Sequence, residues 1–456
     1  MAEPSTTGLH AAWTFDPRPP RPDWGIALPA VKRLSTRGPI QPAPPPAEAV
    51  ISLAHAQGIA TPLVRPGDRV LTGQPLARDA QAAAHASVTG TVVAVESRPV
   101  PGSSHTPCVV VRREDPERFD PALRPVDPAV LTPAQIAAHI SAGGIAGLGG
   151  ALFPTGRKLR AGAPIRALII NGVECEPWIS CDEMLLRERA AAVIRGTRIM
   201  MRALATEQAV IAVKVDMAEA RVALHDALEA DGSGSIGLAV VTARYPSGGE
   251  RQLIELLTGE EVPAGGLPRD IGHVCQNVGT AAAVADLFDL GQPLISRIVT
   301  VTGGAIAAPG NFAVRIGTPI AALLAAAGGC RAEPARLIMG GPMMGIALAD
   351  DALPVTRATN CVVAATAGEL APARLEMPCI RCGECVQACP AHLLPNELLG
   401  AVRRGDAAAL DELGLAACIE CGCCDHVCPS AIALTPRFVA ARAAQRPPPG
   451  PGEDPS

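Results

Sequence analysis

Cys379, Cys382, Cys385 and Cys389, with Pro390 behind them, stand in the stretch CIRCGECVQACP, and Cys418, Cys421, Cys424 and Cys428, followed by Pro429, repeat the spacing in CIECGCCDHVCP. Three thiolates so spaced can wrap three irons of one cubane, while the fourth, redirected before a proline, reaches the neighbouring cluster. The expectation is two [4Fe-4S] clusters with crossed ligands: cluster 1 on Cys379, Cys382, Cys385 and Cys428, and cluster 2 on Cys389, Cys418, Cys421 and Cys424. Structural zinc also takes CxxC pairs, but generally as two separated pairs rather than four thiols in one short run with a trailing proline. Cys423, the extra thiol of CGCC, is read as a bystander. Such clusters relay single electrons and cannot accept a hydride, so two-electron chemistry requires another cofactor or a partner.

Further toward the N-terminus, GGIAGLGGALFPTGRKL offers Gly147, Gly149 and Gly150 for close backbone approach and Lys158 for a phosphate. The run is neither a GxGxxG fingerprint nor a Walker loop, and it precedes the strand-like RALIIN, so on spacing alone a plain glycine-rich turn explains it equally well. NGVECEPWISCDE starts where that strand ends, at Asn171, and places Glu174 and Glu176 at a strand C-terminus, where ligands gather in α/β sheets. A loop with Asp182 as the N-cap of the next helix is the plainer alternative. Cys175 and Cys181 read as buried thiols.

The elements that must position these residues follow from texture. With 456 residues and 48% hydrophobic content the chain has material for several cores, and aromatics at 2% mean that Ala, Val, Leu and Ile must build them. A formal charge of −5 and the lack of a basic stripe speak against nucleic acid. The N-terminus has no secretory pattern, and no run reaches the roughly 18 apolar residues of a membrane span. The expected organisation is a Pro-rich segment over 1–48 that ends in an extended linker, a barrel-sandwich-like β domain over 49–125, an α/β Rossmann-like domain over 126–290, a small α+β unit over 291–345, a helical two-cluster ferredoxin-type domain over 365–445 and a disordered tail over 446–456. In the α/β region RALIIN, AVIAVKV and IGLAVVTA read as parallel strands separated by helical patterns. The β domain resembles those that carry biotin or lipoate, but the three lysines, Lys32, Lys158 and Lys214, leave it no attachment site.

Taken in order, GGALFPTGRK, NGVECEP, YPSGGERQLIELLTG and QNVGTA resemble the flavin- and NADH-binding module of the respiratory complex I flavoprotein subunit. With GIALPAVKRLS, GGPMMG, LPVTRATNCVV and the cysteine blocks added, the series resembles the RnfC family of the Rnf (Rsx) electron-transport complexes across nearly the whole chain. The resemblance implies a noncovalent FMN, an NAD(H) site over it, two [4Fe-4S] clusters, and a soluble-ligand-binding β-grasp unit. It carries an FMN cradle onto Gly147, Gly149, Gly150, Lys158, Asn171, Glu174, Asn277 and Thr280, and an adenine-stacking role onto Phe153. Tyr245, Gly248 and Glu250 fall where that module has a Tyr and a Gly-Glu-Glu pattern meeting flavin and NADH.

Two departures stand out. Gly249 beside Glu250 means that only one of two adjacent glutamates is kept, and the family's double-glycine opening is eroded to TFDPRPPRPDWGIALP. The implied role is a peripheral NADH-reactive subunit on the cytoplasmic side of the bacterial inner membrane. It would pass electrons between NAD(H), FMN and the clusters, coupling ferredoxin/NAD redox to ion translocation. Its implied partners are an Fe–S subunit, integral membrane flavoprotein subunits and, through the complex, ferredoxin. A soluble flavin/Fe–S corrinoid reductase and a pure Fe–S electron-transfer module without NADH activity remain as alternatives. The first subunit of the Na+-translocating NADH:quinone reductase is disfavoured by the two cysteine blocks.

Overall fold

The computed structural model describes residues 22–445 except 151, 161 and 373. The first part of the expected Pro-rich segment, 1–21, and the expected tail, 446–456, lie outside the described residues.

Alternating side chains build the front domain. In the strand Glu48–Ser52, Ala49 and Ile51 point inward, the period of two that a half-buried strand requires. This strand pairs with Ser103–Arg113, which pairs with Gly90–Val100, and a second sheet of Thr61–Pro62, Pro75–Arg78 and Ala83–His85 shares the same core around Leu53, Leu76, Val92 and Val109.

The central domain has four parallel strands in the order Ile236–Val241, Ala209–Lys214, Ala167–Gly172, His273–Asn277. Both faces are covered, which is why these strands are near-continuous apolar runs. Leu168, Ile170, Ile211 and Val213 pack with the helices Cys181–Leu204 and Val278–Leu290, while Ile169, Val210, Ala212 and Val241 pack with Leu253, Ile254 and Leu257 of the helix Glu250–Thr258. The strand His273–Asn277 was not among those expected, because HVCQN is short and mixes polar with apolar residues. It completes the edge from which the cleft opens.

A six-stranded mixed sheet follows, in the order Gln41–Pro42, Gly310–Arg315, Ser296–Thr302, Cys361–Ala365, Arg336–Met339, Ile346–Ala347. Its edge strand Gln41–Pro42 comes from the segment expected as a linker and pairs in parallel with Phe312 and Ala313. The strand Cys361–Ala365 lies beyond the expected 291–345 span and pairs with both neighbours inside it. The last domain is a set of short helices, among them Pro395–Arg404 and Leu434–Gln445, around Leu398, Leu399, Leu415, Ile432 and Phe438.

Candidate functional site

Each cysteine block folds back on the other. Cys379, Cys382 and Cys385 of the first block and Cys428 of the second line one cavity of about 380 Å³. Cys389 of the first block lines a cavity of about 350 Å³ with Cys418, Cys421 and Cys424. These are the crossed sets expected from spacing. The backbone repeats as well: Arg381, Gly383 and His392 are left-handed, and so are Glu420, Gly422 and Ala431 at the corresponding positions. The rest of each lining is mostly apolar, with Leu399, Ile432 and Leu434 in one and Leu393, Ile419 and Phe438 in the other. Four thiols converging on a largely apolar space suit a thiolate-held cubane, and none of the fifteen cysteines is in a disulfide. Cys423 is fully buried, lines the second cavity and hydrogen-bonds to Cys421, so it sits beside that set rather than apart from it.

A larger, open cleft of about 1440 Å³ lies over the C-terminal ends of the parallel strands. Gly147, Gly149, Lys158, Asn171, Glu174, Tyr245, Gly248, Glu250 and Asn277 all line it, nine of the twelve positions carried over by resemblance. The other three stand outside the lining. Gly150 is exposed, Phe153 lies under the Arg157 guanidinium at 5.8 Å, and Thr280 is fully buried. Thr280 acts one step back: its Oγ1 accepts from the Leu148 N–H at 3.0 Å and donates to the Ala146 carbonyl at 3.3 Å, pinning the glycine loop to the helix Val278–Leu290.

Polar groups set the cleft walls. Asn171 Nδ2 donates to the Gly248 carbonyl at 2.9 Å, tying the strand end to the YPSGGE loop. Asn277 caps the helix Val278–Leu290 by accepting from Gly279 N–H at 2.8 Å, and its Nδ2 donates to Asp182 at 2.6 Å. Ser180, not Asp182, takes the N-cap position of the helix Cys181–Leu204, so the plainer reading of Asp182 as a cap is corrected. Asp182 sits in the first turn, where burial and the nearby Glu174 push its carboxyl up to about 7 against the pull of Asn277, Arg297 and Lys32. Lys158 pairs with Glu250 across the cleft. Burial pushes Glu176 up, although the Met343 and Met344 N–H groups that it accepts hold it down.

Two residues, one lining the cleft and one behind it, carry no signal in the sequence. Lys32, noted only as one of three lysines, reaches from GIALPAVKRLS to donate to the Glu174 carboxylate at 3.0 Å and its carbonyl at 2.7 Å. Both side chains are under 10% exposed. Burial disfavours the charged ammonium, but Glu174 and the smaller pulls of Glu183 and Asp216 together outweigh it and the pKa is raised. Gln276, inside the quoted QNVGTA, is 4% exposed with its Nε2 unpartnered, and it lines the cleft. Only tertiary structure could single out these two, one a distant lysine and the other an ordinary strand residue.

The cleft and the Cys389 cavity share a wall. Ile419 lines both, and the buried Tyr245 of the cleft donates its hydroxyl to the Cys421 carbonyl at 2.7 Å. Gln252 of the cleft donates to the Pro390 carbonyl at 3.0 Å. A strap from the N-terminal segment clamps the joint. Ile26 and Tyr245 exchange N–H···O bonds of 2.8 and 2.9 Å, and the Gly25 N–H donates to the Ala388 carbonyl at 3.1 Å. Gly25 has φ +77°, and a Cβ there would meet the Tyr245 oxygen at 2.3 Å, so only glycine closes this joint. The eroded N-terminus therefore keeps the residues that dock.

The cleft residues fit a phosphorylated flavin. Gly147 and Gly149 line the cleft, and a Cβ on either would come no closer than 3.5 Å to the protein, so their missing side chains leave room for a ligand. Lys158, paired with Glu250, has an ammonium that a phosphate would take over, and the orphaned Gln276 amide supplies a donor for a ring carbonyl.

Residues 140–286 match the family model of the Nuo51 FMN-binding domain, 23–116 the RnfC barrel sandwich hybrid domain, 298–347 the SLBB domain and 378–433 a 4Fe-4S dicluster domain. The ion-translocating oxidoreductase complex C-subunit of Pseudomonas aeruginosa is 46% identical over 82% of this chain and 49% of its own length. Its namesake from Rhodobacter capsulatus is 40% identical over 86% of this chain and 76% of its own. The chain thus spans about half of the first relative and about three quarters of the second. Among solved structures, a chain of an NAD+-reducing [NiFe]-hydrogenase aligns with TM-score 0.49 and 22% identity, over 68% of this chain and 61% of that one. The order of motifs, the four domain matches and the identity across three quarters of the Rhodobacter protein agree: this chain belongs to the RnfC family, the C-subunits of ion-translocating oxidoreductase complexes.

Proposed function

We propose that the chain binds FMN in the cleft and two [4Fe-4S] clusters in the cysteine cavities, and serves as the NAD(H)-reactive subunit of an Rnf-type electron-transport complex. The observation that carries this reading is the shared wall: Tyr245 and Ile419 belong to the cleft and also touch or line the Cys389 cavity. When bound, the flavin exchanges a hydride with the nicotinamide and single electrons with the clusters, each of which carries one electron at a time.

The residues divide the work. Lys158 and the glycine loop would hold the phosphate, Asn171 and Asn277 fix the strand ends at the cleft, and Gln276 would donate to the flavin ring. Tyr245, Gly248 and Glu250 would meet the flavin and the nicotinamide nucleotide, and Phe153, outside the cleft lining, would stack on its adenine. Cys389, Cys418, Cys421 and Cys424 form the inner cluster site, next to the cleft. Cys379, Cys382, Cys385 and Cys428 form the outer one, where Cys379 and Cys382 are exposed and Ile380 is 68% exposed. Cys423 remains a neighbour of the inner set and not a ligand.

The outer site faces a partner, which we take to be an Fe–S protein or a membrane flavoprotein of the same complex, with ferredoxin engaged through the complex. Attachment to the cytoplasmic side of the membrane would run through those partners; no helix among the described residues is long and apolar enough to cross a membrane.

The test is anaerobic purification with flavin, iron and sulfide quantified, followed by NADH addition. One FMN and about eight irons per chain, both chromophores bleached by NADH, are expected from two four-iron sites. Iron without flavin or NADH response reduces the chain to an electron-transfer module.

A further inference from the structure

Asp182 lies between two cavities. It lines the cleft, and it also lines a second cavity behind it, with Leu148, Arg189, Asp286, Ser296 and Arg297 among the walls. That rear cavity reaches the surface where Arg189 is 40% exposed and pairs with Asp286. We infer that Asp182 is the proton-holding group of the cleft, exchanging its proton with solvent through the rear cavity. This rests on the flavin reading above.

The surroundings explain why a carboxyl here keeps a proton. The Asp182 N–H donates to Glu174 Oε1 at 3.0 Å, which brings the half-buried Asp182 carboxyl beside the buried one of Glu174. Lys32 lies against Glu174, not Asp182, so one carboxylate is paired and the other is left to hold a proton. Arg297, from the strand Ser296–Thr302, and Asn277 face Asp182 as well, Cys181 stands beside it, and Arg189 and Asp286 stand at the mouth of the rear cavity. Burial and Glu174 dominate, and the carboxyl is held near neutrality. Glu174, Cys181 and Asp182 are also close enough to hold a metal ion, but Lys32 already fills the cation position against Glu174.

The balance is complete with the reactants named. NADH supplies a hydride, one hydrogen with two electrons, and becomes NAD+. Neutral reduced flavin needs one further proton, which leaves the Asp182 carboxyl, and the resulting carboxylate regains a proton from water in the rear cavity. Reoxidation by two single-electron transfers would release two protons, the one taken from Asp182 and the one that arrived as hydride, and both would leave by way of the Asp182 carboxylate and the rear cavity.

The test uses the full chain as wild type, Asp182→Asn and Asp182→Glu, with flavin and iron content measured for each. In the flavin-free chain, infrared difference spectroscopy should find a carboxyl titrating near neutrality that Asp182→Asn lacks. In the loaded chain, a pH-indicator dye should show proton uptake keeping pace with flavin bleaching in the wild type, lagging about tenfold or more in Asp182→Asn and recovering in Asp182→Glu. Uptake that keeps pace in Asp182→Asn overturns the inference. So does the absence of a near-neutral carboxyl, which decides the matter even if Asp182→Asn fails to load flavin. A wild-type chain that takes up no flavin instead defeats the functional reading.

Discussion

Single side chains at the cleft differ in what they hold, and substitutions should separate them. Lys158→Ala removes a charge-assisted contact to phosphate worth about 1.5–3 kcal/mol, so FMN retention should fall roughly ten- to a hundredfold, read by flavin content after gel filtration. Gln276→Leu should also weaken retention, by less, and unchanged flavin content in either variant removes that residue from the cradle. Lys32→Met leaves the Glu174 carboxylate buried without its partner, and should cost about 3–5 kcal/mol in denaturant unfolding. Asp182 gives a signed pH dependence. Its carboxyl is pushed up to about 7 from an ordinary 3.8, so between those values the folded chain binds a proton that the unfolded chain does not. Its contribution is full below about 4, falls as pH rises to about 7 and is flat above that. Stability of Asp182→Asn measured across this window should lack that slope.

At the scale of elements, the two cysteine blocks can work only as a pair, since each lends its fourth thiol to the other cavity. Cys389→Ala should therefore damage the inner cluster and Cys428→Ala the outer one, as resolved by electron paramagnetic resonance. Damage confined to each residue's own block would contradict the crossing. This arrangement was legible in sequence because Fe–S ligation imposes its spacing on the chain directly. The parallel strands were legible too, since burial on both faces forces long apolar runs such as AVIAVK, whereas HVCQN at the sheet edge carries no such signature. Gln41–Pro42 looked like linker because a two-residue edge strand has no periodicity to read. The strap at Gly25 and Ile26 was hidden for a related reason: its bonds are made by backbone atoms to partners hundreds of residues away. Nine of the twelve positions expected at the cleft line it, while Lys32, Asp182 and Gln276 gain their roles only once distant segments are brought together.

Across the whole molecule, the cleft and the two cysteine cavities form a series. The cleft adjoins the Cys389 set through Tyr245 and Ile419, and the Cys379 set lies beyond it at the surface. Sequence could not order the two clusters, because identical spacing gives no position. The structure makes one inner and the other outer, and that order is the feature on which the proposed electron path stands. It is tested most directly by mixing NADH with the FMN-loaded chain and freezing at successive times for electron paramagnetic resonance, using the wild type, Cys418→Ser and Cys379→Ser. The expected result is that loss of the inner cluster in Cys418→Ser leaves flavin bleaching intact but keeps the outer cluster oxidised on that timescale, while Cys379→Ser still reduces its inner cluster. Prompt reduction of the outer cluster in Cys418→Ser would contradict the order.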